Sequence, residues 1–166
     1  MTDATRERTR PLLVLLFVGY LVVLGWLVLW KLHTPFVGAG MGTIKLVPFV
    51  RTDEFGASSP MEVLGNIAVF VPFGVYFGLL GRRWWAALAV IAVTSAALEA
   101  TQFVLGIGST DITDVIANTF GGTVGLLLAG LVGRRAGAAL CLVGTVIAVV
   151  ALLAYLAAPM RPMAAL

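Results

Sequence analysis

Five long runs with few charged residues constrain this chain more than any other feature of its sequence. They cover residues 11–30, 63–80, 84–105, 112–132 and 136–158, and a membrane-spanning helix needs about 20 consecutive apolar residues. With 60% hydrophobic and only 11% charged residues, the chain has more apolar surface than a domain of this size can bury. The composition excludes a soluble enzyme and predicts an all-α, multi-pass membrane bundle with about five transmembrane helices.

The basic residues predict which ends of the spans face the cytoplasm, because Lys and Arg concentrate in short inner loops. With the N-terminus inside, seven basic residues lie in short inner segments and four in longer outer ones. The inner residues are Arg6, Arg8, Arg10, Arg82, Arg83, Arg134 and Arg135, and the outer ones are Lys31, Lys45, Arg51 and Arg161. We therefore predict an N-in, C-out topology.

This topology divides the chain into three parts. Residues 1–10 form a basic cytoplasmic tail, residues 11–158 a single transmembrane domain, and residues 159–166 a C-terminal tail. A cleaved signal peptide is the alternative for the first run, but its apolar region is normally about 7–15 residues long. The uncharged run at residues 11–30 is longer than that, so we expect a retained span.

The longest loop, residues 31–61, contains the apolar stretch Ile44–Val50. This stretch is too short to cross a membrane, and a solvated loop would gain nothing from it. We predict a re-entrant or interfacial segment in this first outer loop, folded back onto the outer end of the bundle through Pro48 and Phe49. The long aliphatic stem of Lys45 would let its ammonium group reach toward lipid headgroups.

Polar residues within the runs fall at one membrane depth, the predicted outer end. Asn66 opens the second span, Glu99 closes the third and Asp114 opens the fourth. A charged carboxylate that faces lipid costs at least about 2–3 kcal/mol, so Glu99 is expected to face a partner or a wet cavity. The sequence predicts an outward-facing polar pocket whose candidate ligand-binding residues are Lys45, Asn66, Glu99, Gln102, Asp111, Asp114 and Asn118.

Structural roles are the alternative for these residues. Helix capping would explain Asp111 and Asp114, because Asp satisfies first-turn N–H groups and complements the helix dipole. Interhelical hydrogen bonds would explain the amide side chains at the pocket. A metal site with oxygen ligands from Glu99, Asp111 and Asp114 is chemically possible, but we expect neither a metal nor a cofactor.

Small residues recur every four positions in the fourth run, at Ala117, Gly121, Gly125 and Ala129. Such a stripe allows another helix to approach closely. It predicts close helix packing within the chain, with a dimer interface as the alternative, and the oligomeric state stays open.

Four motifs in order resemble the VanZ-like family of bacterial membrane proteins. Leu46–Phe49 is similar to the family's Leu-Ile-Pro-Phe element, and Asn66–Gly74 to its Asn-x-x-x-Phe-x-Pro-x-Gly pattern. Glu99–Gln102 is similar to Glu-x-x-Gln, and Asp111–Gly122 to Asp-x-x-Asp-x-x-x-Asn-x-x-Gly. The resemblance implies a protein of the inner (cytoplasmic) membrane with a link to glycopeptide (teicoplanin) resistance and the cell envelope.

Two functions fit these observations. In the first, the pocket binds the polar head of a membrane lipid or lipid-linked cell-wall precursor. In the second, a membrane-embedded enzyme uses Glu99 and Asp114 as acid and base on such a headgroup, because two carboxyls in different environments can divide these roles. Nucleic acid is not an expected partner, and a transport pathway is disfavoured because the inner halves of the spans carry few polar residues.

Overall fold

The computed structural model describes residues 3–30, 38, 40–50, 59–81, 83–107 and 109–157. These residues form four helices and two short strands, and all four helices are long and apolar enough to cross a membrane. The elements are α1 (Asp3–Trp30), β1 (Thr43–Lys45), α2 (Pro60–Leu79), α3 (Trp84–Leu105), β2 (Ser109–Asp111) and α4 (Ile112–Ala157). The prediction of an all-α membrane bundle is confirmed, and the predicted C-terminal tail lies outside the described residues.

Helix α4 is interrupted at Gly133, whose backbone angles (φ 72°, ψ 174°) are not helical. Before this break, successive residues of α4 contact successively later residues of α2. After the break, they contact successively earlier ones. These contacts are Gly121 with Ile67 and Gly125 with Val71 before the break, and Gly137 with Leu79 and Gly144 with Pro72 after it. The two parts of α4 therefore run in opposite directions along α2, which is compatible with five spans. The count of five and the N-in, C-out topology remain predictions.

Helix α2 packs against the first part of α4 almost without intervening side chains. A β-carbon at Gly125 would collide with the carbonyl oxygen of Val71, and one at Gly74 would collide with that of Gly122. The small-residue stripe of α4 thus makes a contact within the chain, as predicted. Close backbone approach of this kind gains dispersion energy where lipid supplies no hydrophobic drive for association.

An aromatic cluster joins α1 to α2. The ring of Phe17 lies with its centroid 5.7 Å from Phe73, 5.1 Å from Tyr76 and 5.4 Å from Phe77. The hydroxyl of Tyr20 donates to the carbonyl oxygen of Val69. Rings at these separations and tilts interact favourably beyond their buried area, so α1 is positioned as part of the core.

Different interactions stabilise the two ends of α2. At its start Ser59 and Glu62 form a capping box, with Met61 N donating to Ser59 Oγ (3.3 Å) and Ser59 N donating to Glu62 Oε2 (3.1 Å). At its end Arg134 Nη1 donates to the carbonyl oxygen of Leu79 (3.3 Å). A cation there complements the negative end of the helix dipole. This arginine marks the end of the bundle opposite to the polar residues described next.

Candidate functional site

Residues 40–50, which we call the strap, fold back onto the end of the bundle where α3 stops and α4 begins. Strand β1 pairs in parallel with β2, with Lys45 opposite Asp111. Gly42 N donates to the carbonyl oxygen of Phe103 (2.8 Å), and Phe49 N donates to Thr113 Oγ1 (3.0 Å). The prediction that Pro48 and Phe49 belong to a segment folded onto the bundle is confirmed.

The side chain of Lys45 lies inside the protein and not at its surface. It is only 4% exposed, and its Nζ donates to Asp111 Oδ2 at 3.1 Å. The expectation that Lys45 reaches toward lipid headgroups was therefore wrong. The register of β1 with β2 places the ammonium beside a carboxylate, and a buried charge is tolerated when it is paired in this way.

Asp111 connects the strap to helices α3 and α4. Its Oδ1 accepts from Thr113 N (2.8 Å), which is the capping interaction expected at the start of α4. Its own backbone N–H donates to Glu99 Oε2 (3.1 Å), and Thr110 Oγ1 donates to the carbonyl oxygen of Glu99 (3.0 Å). Glu99, only 2% exposed, thus faces the protein interior as predicted, at the positive end of the α4 dipole.

Gln102 occupies the same face of α3, one turn after Glu99. Its Nε2 donates to the carbonyl oxygens of Val28 (2.9 Å) and Leu29 (3.2 Å). These carbonyls belong to the last turn of α1, where backbone acceptors have no partner within the helix. The interhelical role considered for Gln102 is confirmed, and this residue brings the end of α1 to the site.

Asn118 continues the contact between α3 and α4 one turn deeper. It is fully buried, and its Nδ2 donates to Ser95 Oγ at 3.0 Å. Ser95 precedes Glu99 by four residues and Asp114 precedes Asn118 by four, so the two pairs form facing rows on adjacent helices. Asp114 is buried as well, at 3% exposure.

Together these side chains form a buried polar cluster at one end of the bundle. Its members come from the strap, from α3, from β2 and from the start of α4. They are Lys45, Ser95, Glu99, Gln102, Asp111, Thr113, Asp114 and Asn118. The cluster contains six of the seven predicted site residues, and among the described residues no hydrogen bond joins the seventh, Asn66, to it.

Three amide atoms at this end of the bundle are buried and have no hydrogen-bond partner among the described residues. They are Gln102 Oε1, Asn118 Oδ1 and Asn66 Nδ2. Leaving a buried polar atom unsatisfied costs about 1–3 kcal/mol. Each of these atoms would therefore be stabilised by a hydrogen-bond partner.

Within the described residues, the structure contains no group of three or more His, Cys, Asp or Glu side chains arranged to hold a metal ion. Instead, the carboxylate of Asp111 is bound by the ammonium of Lys45.

Sequence reasoning missed two members of the cluster, Ser95 and Thr113. Both are fully buried, and both hydroxyls bond across elements, Ser95 to Asn118 and Thr113 to Phe49. The spacing of four residues between Ser95 and Glu99 is a signal for the first. For Thr113 no comparable signal exists, because its partner is a backbone N–H of the strap.

Comparisons with known proteins place these residues in a family. The family model described as VanZ/LLP1 matches residues 17–133, a range that contains the whole cluster. Protein VanZ of Enterococcus faecium is 37% identical over 121 residues, which cover 70% of this chain and 72% of that protein. No solved structure matches the chain. Because the family model covers well over half of its residues, this multi-pass membrane protein belongs to the VanZ/LLP1 family.

Proposed function

We propose that this protein binds the polar head of a membrane lipid or a lipid-linked cell-wall precursor at its polar cluster. The observation that carries the proposal is the set of unpartnered amide atoms, Gln102 Oε1, Asn118 Oδ1 and Asn66 Nδ2. A purely structural cluster would satisfy its own members, because unsatisfied groups in a low-dielectric interior are expensive. A ligand bound at this membrane depth supplies the missing hydrogen-bond partners of these atoms.

The strap supports a lipid as the source of that ligand. Next to Lys45, the side chains of Leu46 and Phe49 are 75% and 53% exposed, although both are apolar. Exposed apolar side chains beside a polar site match a molecule with a polar head and hydrocarbon tails. The same chain segment thus offers surface to both parts of one lipid.

In the bacterial inner membrane, such a protein would act on the outer leaflet, where cell-wall precursors are displayed. Membership of the VanZ/LLP1 family and similarity to Protein VanZ support a contribution to envelope function and to glycopeptide resistance. This role requires that the cluster face outward. Cysteine labelling at two exposed positions tests the orientation, with Met41→Cys reacting from outside and Arg135→Cys only after permeabilisation.

Glu99→Gln is the sharpest test of the site. The amide keeps the size of the side chain and an oxygen that can accept from Asp111 N, so the fold should survive. We expect the variant to accumulate and run as a single species in detergent, yet to lose the glycopeptide resistance that the wild-type chain confers. Thr101→Val is the matched control, because among the described residues the hydrogen bond of Thr101 Oγ1 stays within α3, to the carbonyl oxygen of Ala97.

Wild-type resistance in Glu99→Gln would return Glu99 to a structural role and remove the centre of the proposed site. The purified protein should also retain a lipid that Glu99→Gln does not retain, as measured by native mass spectrometry. Incubation of the protein with that lipid should leave the mass of the lipid unchanged. A change in its mass would instead favour an enzyme that uses Glu99 and Asp114 as acid and base.

A further inference from the structure

We infer that the end of the bundle opposite the polar cluster binds the phosphate of an anionic phospholipid through the guanidinium groups of Arg83 and Arg135. We call this surface the basic end; it consists of the turn between α2 and α3 and of the break in α4 at Gly133. Neither segment contributes a residue to the polar cluster, which lies where α3 stops and α4 begins. The inference therefore goes beyond the proposed function and does not rest on it.

Contacts with the end of α2 bring these two segments together. A β-carbon at Gly137, just after the break, would lie 2.8 Å from Cδ2 of Leu79. Arg134 Nη1 donates to the carbonyl oxygen of the same leucine at 3.3 Å. Arg83 follows Leu79 by only four residues, so their two Cα atoms are at most about 14 Å apart. Arg83 and Arg135 thus lie at one end of the bundle, beside the last turn of α2.

The described arginines of the basic end have different surroundings. Arg134 is partly buried and bonds to the backbone, which gives it a structural role at the end of α2. Arg83 and Arg135 are exposed, and among the described residues neither side chain forms an ion pair. The acidic side chains that the structure describes all lie at the other end of the helices, and they are Glu62, Glu99, Asp111 and Asp114. Two cationic groups are therefore available to an anion from outside the chain.

The first turns of α1 add positive charge at the same end. Phe17 packs against Phe77, two residues before α2 ends, and α1 extends back from there to Asp3. At 1.5 Å per residue, the segment from Phe17 to Asp3 is about 21 Å long and reaches the basic end. In sequence, arginines outnumber acidic residues in this segment, with Arg6, Arg8 and Arg10 against Asp3 and Glu7. Helix α1 therefore does not neutralise the charge of the basic end.

The residue type favours phosphate over a general attraction of negative charge. All seven basic residues of the predicted inner segments are arginines, whereas both lysines of the chain, Lys31 and Lys45, lie between α1 and α2. Lys and Arg both retain an inner loop in the cytoplasm, so topology alone does not explain this choice. A guanidinium group donates two parallel N–H bonds to a phosphate, which an ammonium group cannot do.

Two tryptophans place the basic end at the level of the lipid headgroups. Trp84 and Trp85 directly follow Arg83 and are 39% and 75% exposed. Exposed tryptophan is typical of the membrane–water interface, where its ring lies at the level of the headgroups. Next to the break, Leu131 is 82% exposed and provides apolar surface for acyl chains. A zwitterionic lipid brings an ammonium along with its phosphate, and arginines repel that ammonium, so an anionic phospholipid is the better ligand.

Lipid binding to the purified full-length chain in detergent tests this inference. Native mass spectrometry and thermal unfolding would compare phosphatidylglycerol with phosphatidylcholine of the same acyl chains. We expect phosphatidylglycerol to bind more tightly, and its stabilising effect to weaken with salt because exposed charges are screened. The double variant Arg83→Gln, Arg135→Gln should bind phosphatidylglycerol about tenfold or more weakly, since each arginine near an anionic lipid surface contributes to binding.

Two further double variants provide controls. Arg83→Lys, Arg135→Lys keeps both charges without the paired N–H bonds, so its affinity should fall between those of the wild type and of Arg83→Gln, Arg135→Gln. Arg51→Gln, Arg161→Gln removes the same charge from the predicted outer segments and should bind phosphatidylglycerol like the wild type. Without lipid, the variants of Arg83 and Arg135 should unfold at the wild-type temperature, because both side chains are exposed.

Equal binding of the two lipids, or wild-type affinity in Arg83→Gln, Arg135→Gln, would overturn the inference. Wild-type affinity in Arg83→Lys, Arg135→Lys would overturn the guanidinium contact with phosphate. Loss of phosphatidylglycerol binding in Glu99→Gln alone would move the anionic lipid to the polar cluster, which overturns this inference and supports the proposed function. If the basic end binds phosphatidylglycerol as expected and no lipid binds in a manner that depends on Glu99, the proposed function alone fails.

Discussion

Helix α4 is held by two regions with different chemistry, its glycine-lined contact with α2 and the polar cluster at its first turns. In the first region, backbone meets backbone at Gly74, Gly122 and Gly125. In the second region, buried side chains bond across three elements, and Gln102 and Asn118 keep unpartnered atoms. The glycine contact is complete in itself, whereas the polar cluster is not. Proteins break local rules of satisfaction mainly at functional sites, so under the proposed function the first region is the scaffold and the second is the site.

The largest expected effect follows from a large side chain in the glycine contact. In Gly125→Leu, the new side chain would collide with the carbonyl oxygen of Val71 and force α2 away from α4. Overpacking usually costs about 1–3 kcal/mol, and a collision with rigid backbone lies at or beyond the upper end. We expect the protein to fail to accumulate in membranes, as measured by immunoblotting.

Gly130→Leu is the matched control, because it adds the same side chain to the same helix. Apart from its chain neighbours and the nearby backbone of its own helix, no heavy atom among the described residues lies within 4 Å of the position that a β-carbon would occupy at Gly130. This variant should accumulate normally. Equal loss of both proteins would show that α4 rejects bulk throughout, and the glycine contact would lose its special status.

Lys45→Met is expected to have the next largest effect, and it acts on the other region. Loss of the ammonium removes a cation bound to the buried carboxylate of Asp111, and breaking a buried pair in this way costs about 3–5 kcal/mol. The strap should then detach, which hydrogen exchange at residues 43–50 would detect. The double variant Lys45→Met, Asp111→Asn should recover much of the stability, because Asn also caps helices well.

Unchanged exchange at residues 43–50 in Lys45→Met would mean that the backbone hydrogen bonds of the strap hold it without the ion pair. The bonds available for that are those of β1 with β2, together with Gly42 N to Phe103 and Phe49 N to Thr113. In that case the ion pair would contribute to the site and not to the fold.

The fold was predictable from the sequence where long patterns determine it. The third apolar run has the same limits as α3, Trp84–Leu105. The spacing of Gly121 and Gly125 predicted the close contact that these glycines make with another helix. The strand pairing was not predictable, because each strand has three residues and their partners are distant along the chain. The packing of α4 back along α2 past Gly133 depends on the same kind of long-range contact.

The site was predictable in its residue types and less so in its contacts. Depth along the spans predicted that Glu99, Gln102 and Asn118 would lie at one end of the bundle, and the cost of a charge that faces lipid predicted that Glu99 would face inward. Burial of Lys45 was not predictable, because it depends on the register that sets this residue opposite Asp111. A lone lysine in an apolar stretch of a loop matches snorkelling equally well.

The smallest expected effect concerns a hydrogen bond toward the opposite end of the bundle, between Tyr76 and Thr145 (2.8 Å). Thr145 Oγ1 donates to the carbonyl oxygen of Cys141, so it accepts from the tyrosine and keeps its own partner in Tyr76→Phe. The phenylalanine also keeps the ring contact with Phe17. Interhelical hydrogen bonds in membranes are worth about 0.6 kcal/mol on average. Thermal unfolding in detergent should therefore show a small loss of stability, and glycopeptide resistance should stay at the wild-type level. Removal of this one hydroxyl could instead abolish resistance, as Glu99→Gln is expected to do. Function would then also depend on a residue outside the polar cluster, and α2 would be part of the site as well as of the scaffold.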